Sequence, residues 1–547
     1  MWCKFVNGLA HVLTNSPRKH CARERLKKML HRPLITLLSS AVFCLVVAER
    51  SNADWITDSG YPQLSAELGA ALPTGAGITV LQSEANVSTP DNISYMPQAS
   101  GVTSFSGAGN YSGKTFTIDS TLGGYSDHAN SVGSTFYGNT GSLSPGITDV
   151  HVLLADDFYN GLISPGGPAT FAGSVQNHSW IATTTGSNSD DNQVLRALDY
   201  MVNRDGIVAC VPMNNGTAAL PTFLANSYNA ISVGLRDGQH SLGGSTADGN
   251  GRQKPDLVVN TSLTSYASPA VASAAAMLSQ TIKVSFTTAD HPQVIKAILL
   301  AGASKSNLPA WRRANTSVPY DSTFGAGELN ILSAYHLLAA GDQAASLSAP
   351  VSATGWNYNT AQSNSVKRYF FTIPAGSMAN TFSTALTWHR KVTRTGGSYS
   401  STLPNLTLKL YAASNLAISG AALDQSISPL DNVQHLFQRN LPAGEYALEV
   451  SSNTNDVPYG IAWQAQTGNG PTIKVRIENA TRVFIDLANL DPYVTYTLLQ
   501  SSTLTSWANA TTILTSASTA STTTTWQDTD ASVMTPNFYR LQWTSIR

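Results

Sequence analysis

Short apolar runs alternate with amphipathic segments over the first half of the chain. Within residues 75–84 a Gly-rich turn precedes an apolar strand that ends at Glu84, and further runs that predict strands cover residues 149–154, 174–180, 207–211 and 231–234. Between two of them, Val194, Leu198 and Met201 recur at helical spacing, and residues 293–300 form a second amphipathic segment. Strands that alternate with helices pair in parallel through crossover helices. We therefore expect an α/β fold with a doubly wound, mostly parallel sheet, whose sites lie beyond the carboxyl ends of the strands.

The stretch from Thr264 to Met277 predicts a different kind of helix. It is rich in Ala, the best helix former, and Pro269 stands near its start, where the missing N–H is not needed. The hydroxyl of Ser265 then lies in the opening turn, among unpaired N–H groups that would stabilise an oxyanion. Taken alone, this composition favours an Ala-rich core helix with an incidental serine.

Downstream of residue 343 the pattern changes to alternating strands. Examples are residues 406–411 and 446–450, separated by turn signals such as Leu-Pro-Ala-Gly at 441–444. This spacing predicts a β-sandwich over 346–467, followed by a small Thr/Ser-rich β-module over 471–547. The predicted order is therefore a leader (1–53), a short segment (54–74), an α/β domain (75–343) and two all-β domains.

The serine helix carries a family motif. Residues 264–269, Thr-Ser-Tyr-Ala-Ser-Pro, resemble the nucleophile motif Gly-Thr-Ser-Met-Ala-Ser-Pro of subtilisin-like serine proteases. Residues 254–256, Lys-Pro-Asp, resemble the run that leads into this motif, and 324–330 resemble the turn that closes the domain. Two residues depart from the pattern: Leu263 stands where the family has Gly, and Ala270 where it usually has His. The resemblance spans about 75 to 340, and the sandwich resembles the jelly-roll domain appended to many secreted bacterial proteases.

The resemblance implies a catalytic triad. Glu84 ends the strand that aligns with the family's triad-acid strand, and it replaces the usual Asp. Gln82 is the competitor in a slipped register, but it cannot supply a charge. His128 lies in Ser-Asp-His-Ala-Asn, which resembles the family's His motif and implies a general base at a helix start. Acid, His and Ser265 then follow in the chain order of subtilisin.

Two further segments at predicted strand ends complete the implied site. Residues 177–180, Asn-His-Ser-Trp, resemble a segment whose backbone pairs with substrate, which implies that Ser179 and Trp180 bind substrate. His178 is expected in the wall of the cleft rather than as a second base. Residues 212–216 resemble Ala-Gly-Asn-X-Gly, which places Asn214 as the side-chain donor to the oxyanion.

The amino terminus predicts export. Residues 23–32 are basic, 34–48 are apolar, and Ser51-Asn52-Ala53 offers the small residues that a signal peptidase reads. The apolar run of about 15 residues is short for a membrane span of ~20, so we expect a secreted chain that begins at Asp54 and no membrane association after cleavage. Translation could start at Met1 or at Met29.

Composition supports an extracellular protein. Charged residues make up 12% of the chain, about half the usual share. Loss of the leader, with its nine Lys and Arg and two Glu, changes the net charge from −1 to −8. A low-charge, slightly acidic surface argues against nucleic acid as a partner and favours a soluble monomer.

Cysteines and acidic pairs add two expectations. Cys3, Cys21 and Cys44 lie in the leader, which leaves Cys210 in an apolar strand as a buried packing residue without a disulfide partner. No residue is assigned as a metal ligand or cofactor site. The family frequently binds structural calcium, and the pairs at 156–157 and 190–191 are the candidate ligands.

Two functions fit these residues. The first is a secreted serine endopeptidase that cleaves polypeptides with a Glu84–His128–Ser265 triad. The second is a catalytically silent scaffold that binds or adheres outside the cell. The second is favoured by the departures from the family, which are Glu84, Ala129, Ser131, Leu263 and Ala270. The first is favoured because an acid, a His and a Ser occur at the positions of the three triad residues, in the chain order of the family.

Overall fold

The computed structural model describes residues 54–544 except 89–91, 183–187, 219–222, 244–247, 250–251, 469–470, 479–481, 492–493, 515–522 and 530–536. The leader predicted for 1–53 lies outside the described residues. The helices are α1 Trp55–Asp58, α2 Tyr61–Leu68, α3 Asp127–Tyr137, α4 Ala155–Leu162, α5 Asn188–Asp205, α6 Thr264–Ser285, α7 Pro292–Gly302 and α8 Ile331–Ala339.

Ten strands belong to the amino-terminal half. They are β1 Thr79–Glu84, β2 Ser94–Met96, β3 Ser104–Ser106, β4 Thr115–Ile118, β5 Gly124–Tyr125, β6 Asp149–Leu154, β7 Val175–His178, β8 Val208–Pro212, β9 Ile231–Leu235 and β10 Leu257–Val259. Eight of them form one sheet in the order β10-β9-β8-β7-β1-β6-β4-β3. Every neighbouring pair is parallel except β3 and β4 at one edge. The predicted α/β class with a mostly parallel sheet is confirmed.

Both faces of this sheet are covered, as near-continuous apolar strands require. Successive side chains of a strand point to opposite faces, and β8 shows the consequence. Val208 and Cys210 belong to the core that contains α6, α7 and α8. Ala209 and Val211 belong to the core that contains α4 and α5. The sheet is therefore doubly wound, and Cys210 is free and fully buried.

Helix α6 crosses the interior because its side chains are small. It runs from Thr264 to Ser285 and packs against β7, β8, β9 and α3. Ala and Ser present little volume, so this helix can lie close to the backbone of the sheet. Its amino terminus lies near the carboxyl ends of the strands, together with the start of α3.

The carboxyl-terminal half is all β. Strands β11 Thr354–Ala361, β20 Val457–Gly468, β13 Met378–Trp388 and β18 Val433–Leu441 form one sheet in that order. A second sheet consists of β12 Val366–Ile373, β19 Gly444–Ser452, β16 Leu406–Ser414 and β17 Ala417–Ser426. Both sheets are antiparallel and enclose one apolar core. This is the sandwich that the alternating pattern predicts.

The sandwich and the α/β part share buried contacts. A hairpin of β14 Lys391–Thr395 and β15 Ser398–Thr402 packs against α5, and Tyr399 belongs to the same apolar core as Trp180. Just before the hairpin, Arg390 is buried against Asp199 at 2.5 Å and Asp248. The sandwich therefore completes the α/β core.

Two three-stranded antiparallel sheets form the last part of the described chain. One consists of β21 Thr472–Glu478, β22 Arg482–Ala488 and β25 Thr524–Asp528; the other of β24 Ala508–Leu514, β23 Thr495–Ser501 and β26 Phe538–Thr544. A small apolar core joins the two sheets. None of the described helices has the length and apolar character needed to cross a bilayer.

Candidate active site

Glu84 is the last residue of β1, the strand in the middle of the sheet. Its side chain is 1% exposed, and its Oε1 accepts a hydrogen bond from Gln82 Nε2 at 3.0 Å. The same Gln82 Nε2 donates to the carbonyl of Ala129 in α3 at 2.8 Å, and Tyr137 hydroxyl donates to Gln82 Oε1. Gln82 therefore fixes the carboxylate to the helix that carries His128.

His128 is the second residue of α3. The Oγ of Ser126 caps this helix by accepting from the N–H of Ala129 at 3.2 Å. His128 Nδ1 lies 2.8 Å from Glu84 Oε2, so the ring donates to the carboxylate and its Nε2 is left as the acceptor. The tautomer with a basic Nε2 is the one that can take a proton from a nucleophile.

Burial and charge act in opposite directions on this pair. Burial disfavours the imidazolium of His128, but the hydrogen bond and the charge of Glu84 outweigh it and raise the pKa of His128 above its usual value. Burial raises the pKa of Glu84, and the hydrogen bonds from His128 and Gln82 oppose that rise. The carboxylate thus stabilises the positive charge that forms on the ring when it accepts a proton.

Ser265 is the second residue of α6 and is 8% exposed. Its carbonyl accepts from Ser179 Oγ at 2.8 Å, and Ser179 Oγ in turn accepts from Asn177 Nδ2 at 2.8 Å. Asn177 Oδ1 accepts from Ser268 Oγ at 2.7 Å, one turn further along α6. This buried network fixes the start of α6 to the end of β7.

The ring of His128 lies beside the start of α6. Its centroid is 5.8 Å from that of Tyr266, the residue after Ser265, with 30° between the ring planes. No hydrogen bond between His128 Nε2 and Ser265 Oγ is formed among the described residues. Catalytic hydrogen bonds of this type are often long without substrate and tighten when it binds.

Two hydrogen-bond donors lie close to the serine. Asn214 follows β8, and its backbone is held by Ser241, whose Oγ accepts from Asn214 N at 3.0 Å and whose N–H donates to Asn214 O at 2.9 Å. Within the described residues its side-chain amide makes no hydrogen bond. The N–H of Ser265 likewise has no acceptor there, whereas Asn215 Oδ1 accepts from the N–H of Thr264 at 2.9 Å.

Ser179 and Trp180, expected to bind substrate, have buried side chains that are 4% and 7% exposed. The indole N–H of Trp180 donates to Ser83 Oγ at 3.0 Å, and the Ser179 hydroxyl belongs to the network with Ser265. These side chains position the site. Contact between their backbone and a substrate stays a prediction.

His178 lies in the interior and not in the wall of a cleft, so that expectation is wrong. Its side chain is fully buried next to Phe158 and Trp180, with ring centroids 4.3 and 6.3 Å away. Neither ring nitrogen has a hydrogen-bond partner among the residues that the structure describes. Burial therefore lowers the pKa of His178 to about 3.

Some residues that hold Glu84, His128 and Ser265 in place have no distinct signal in the sequence. Gln82 is expected only as the competitor in a slipped register, although its position two residues before Glu84 puts both side chains on one face of the strand. Asn215 and Asn177 are adjacent to motif residues but carried no separate signal. Their roles depend on which loops meet in space.

No metal site is apparent among the described residues, where no group of three or more His, Cys, Asp and Glu side chains converges. The pairs Asp156–Asp157 and Asp190–Asp191 occupy the first turns of α4 and α5. Carboxylates favour that position because the helix dipole is positive there. Binding of calcium stays a prediction.

Comparisons with known proteins give a fold likeness at low identity. No family model matches the chain, and no curated protein matches it. The solved structure of Prenylagaramide maturation protease PagA is 18% identical, covers 51% of this chain and 97% of its own, and has a TM-score of 0.34. A lanthipeptide protease is 12% identical over 52% of this chain and 94% of its own, with a TM-score of 0.33.

Tripeptidyl Peptidase 2 (TPP II) covers more of the chain. It is 11% identical over 70% of this chain and 44% of its own, with a TM-score of 0.29. Matches of this strength do not decide the activity of the chain, which has to be judged from the geometry of its site.

Proposed function

We propose that this chain is a serine endopeptidase with Ser265 as nucleophile, His128 as general base and Glu84 as the orienting acid. The observation that carries the proposal is the 2.8 Å hydrogen bond between His128 Nδ1 and a buried carboxylate, with the ring beside the opening turn of the serine helix. This arrangement leaves a basic nitrogen and a hydroxyl at the same edge of the sheet. Acyl transfer is the chemistry that such a set performs.

The steps follow from the donors and acceptors of the site. Ser265 Oγ attacks the carbonyl carbon of a peptide while His128 Nε2 takes its proton. The negative oxygen of the tetrahedral intermediate accepts hydrogen bonds from the N–H of Ser265 and the side-chain amide of Asn214. His128 returns the proton to the leaving amine, and water then hydrolyses the acyl-enzyme by the same route in reverse.

We further propose that the protein acts outside the cell on polypeptides. Its support is the basic and apolar leader, the small residues before Asp54 and the low content of charged side chains. Amino-terminal sequencing of protein from the culture medium tests it. A chain that starts at Asp54 is expected, and a chain that keeps residues 34–48 and stays with the cells contradicts it.

The test of the activity is cleavage of casein by the full chain and by the Ser265→Ala variant. Ser279→Ala, further along the same buried helix, is the matched control, because it removes a hydroxyl from α6 without approaching the site. We expect wild-type and Ser279→Ala proteins to cleave and Ser265→Ala to be inactive. Equal cleavage by Ser265→Ala contradicts the mechanism, and a folded wild-type protein with no cleavage supports a silent scaffold.

A further inference from the structure

A cavity lies at the seam between the α/β part and the sandwich, away from the triad. Its volume is about 120 Å³. One side is formed by the end of α7 and the start of α8, and the other by β13, β18 and β20. Each of the two parts therefore contributes about half of the wall.

The charge of this wall is one-sided. Lys305 and Arg439 line the cavity, and no Asp or Glu is among its lining residues. The Lys305 Nζ lies 4.5 Å from the ring centroid of Phe437, and the Arg439 guanidinium carbon lies 5.1 Å from the same centroid. The amine of Lys305 and the guanidinium of Arg439 thus rest against one aromatic ring.

Lys305 has no carboxylate partner in the described chain. It is 3% exposed, and its Nζ donates to the carbonyl of Ala303 at 3.0 Å. No carboxylate of the described chain forms an ion pair with it, whereas Arg439 is paired with Asp491 at 3.0 Å. Burial and the nearby charge of Arg439 lower the pKa of Lys305 well below its usual value. A buried amine of this kind gains stability from any anion that reaches it.

Among the remaining lining groups, one hydroxyl can complete an anion site. The start of α8 offers no free N–H, because Ser333 N donates to Asn330 Oδ1 at 2.9 Å and Ile331 N donates to Ser59 O at 2.8 Å. Ser383 in β13 is 7% exposed, and its hydroxyl has no hydrogen-bond partner within the described part of the chain. Buried hydroxyls normally have a hydrogen-bond partner. The Ser383 hydroxyl is therefore available to donate to an anion in the cavity.

We propose that this cavity is a binding site for a small tetrahedral oxyanion, sulfate or phosphate, held by Lys305 and the hydroxyl of Ser383. A volume of about 120 Å³ is well above the ~10–15 Å³ that one water molecule requires on the same measure, so an ion with four oxygens has room there. Because both parts of the chain line the cavity, the ion would join the sandwich to the α/β part. This inference is independent of the proposed peptidase activity.

Thermal unfolding of the full chain tests the site. Melting is measured in sodium sulfate and in sodium chloride at equal ionic strength, for wild-type protein and for Lys305→Met, whose side chain has a similar volume. Sulfate stabilises proteins in general, so the difference between the two proteins is the informative quantity. We expect sulfate to raise the wild-type Tm by about 2 °C more than that of Lys305→Met. Equal shifts in both proteins contradict the proposal.

A second measurement does not depend on any variant. Crystals of the wild-type chain are soaked in selenate, a sulfate analogue whose selenium gives an anomalous signal. A peak within hydrogen-bond distance of Lys305 Nζ is expected. Selenate peaks at other places with none in this cavity would overturn the proposal.

Discussion

Two regions beside the same strand each contain a histidine in a different environment. His128, whose side chain is 30% exposed, meets the carboxylate of Glu84 at the end of β1, and that partner raises its pKa. His178, paired through its backbone with Ser83 of the same strand, is fully buried beside aromatic rings, and burial lowers its pKa to about 3. The charged partner and the partial exposure of His128 together allow its ring to carry a positive charge, and His178 has neither among the described residues.

The two rings are therefore suited to different roles. A general base must accept a proton during the reaction, which requires a stabilised imidazolium. In the proposed mechanism, Glu84 supplies that stabilisation for His128. Burial disfavours the charged form of His178, so we expect its contribution to be packing.

Substitution of the two histidines, one at a time, should separate them most clearly, and the variant at His128 has the largest expected effect. His128→Ala removes the base and should lower kcat by roughly 10⁶-fold, the loss seen when a triad serine or histidine is removed. His178→Met, of similar volume, should leave kcat/KM within about tenfold of wild type. Peptide hydrolysis by both purified variants checks this. A large loss of kcat in a folded His178→Met protein would contradict the assignment of the general base to His128.

Removal of the charge from Glu84 should have the next largest effect. Glu84→Gln keeps the shape of the side chain but loses the negative charge, and kcat should fall by about 10⁴-fold. In wild type, kcat/KM should fall as pH decreases through the raised pKa of His128, because the protonated ring cannot act as a base. In Glu84→Gln this acid limb should move to lower pH, since burial then lowers the pKa unopposed. An unchanged profile measured by initial rates would contradict the role of Glu84.

A smaller loss is expected at the oxyanion donor. Asn214→Ala should lower kcat by about 10²–10³-fold with little change in Tm. The neighbouring Asn215→Ala is the matched comparison, because it removes the acceptor of the Thr264 N–H and should cost about 1 kcal/mol of unfolding free energy. Parallel rate and urea-unfolding measurements distinguish them. If Asn214→Ala lost stability but not rate, Asn214 would be a structural turn residue.

The smallest effect concerns stability in acid. The folded pKa of His178 lies far below its unfolded value of about 6.5. The unfolded chain therefore binds a proton there that the folded chain does not, and stability falls as pH decreases below 6.5. At pH 5 this costs about 2 kcal/mol relative to pH 8. Urea unfolding of His178→Met at both pH values should show a pH dependence smaller by that amount, and an identical dependence would mean that His178 is charged in the fold.

The fold was largely predictable because its signals are local. Apolar runs and amphipathic segments mark the strands and helices of the α/β part, and the first strand ends at Glu84 as expected. The Ala-rich stretch at Thr264 predicts a helix, which continues to Ser285, beyond the expected Met277. Such patterns depend on side chains that are close in sequence.

What could not be predicted depends on long-range packing. Gln82 bridges Glu84 and α3 only because two segments 47 residues apart meet. Tyr399 and Trp180 share one apolar core, although Tyr399 lies in a hairpin of the sandwich, more than 200 residues further along the chain. The burial of His178 follows from the aromatic side chains around it, and nothing in its own segment distinguishes a core residue from a cleft residue.

Labelling with a fluorophosphonate probe tests the central claim most directly, because the probe reacts only with a serine that a neighbouring base activates. Intact wild-type protein and His128→Ala are treated in parallel, and the modified peptide is identified by mass spectrometry. The account predicts stoichiometric modification of Ser265 in wild type and none in His128→Ala. Folded wild-type protein that leaves Ser265 unmodified would contradict it.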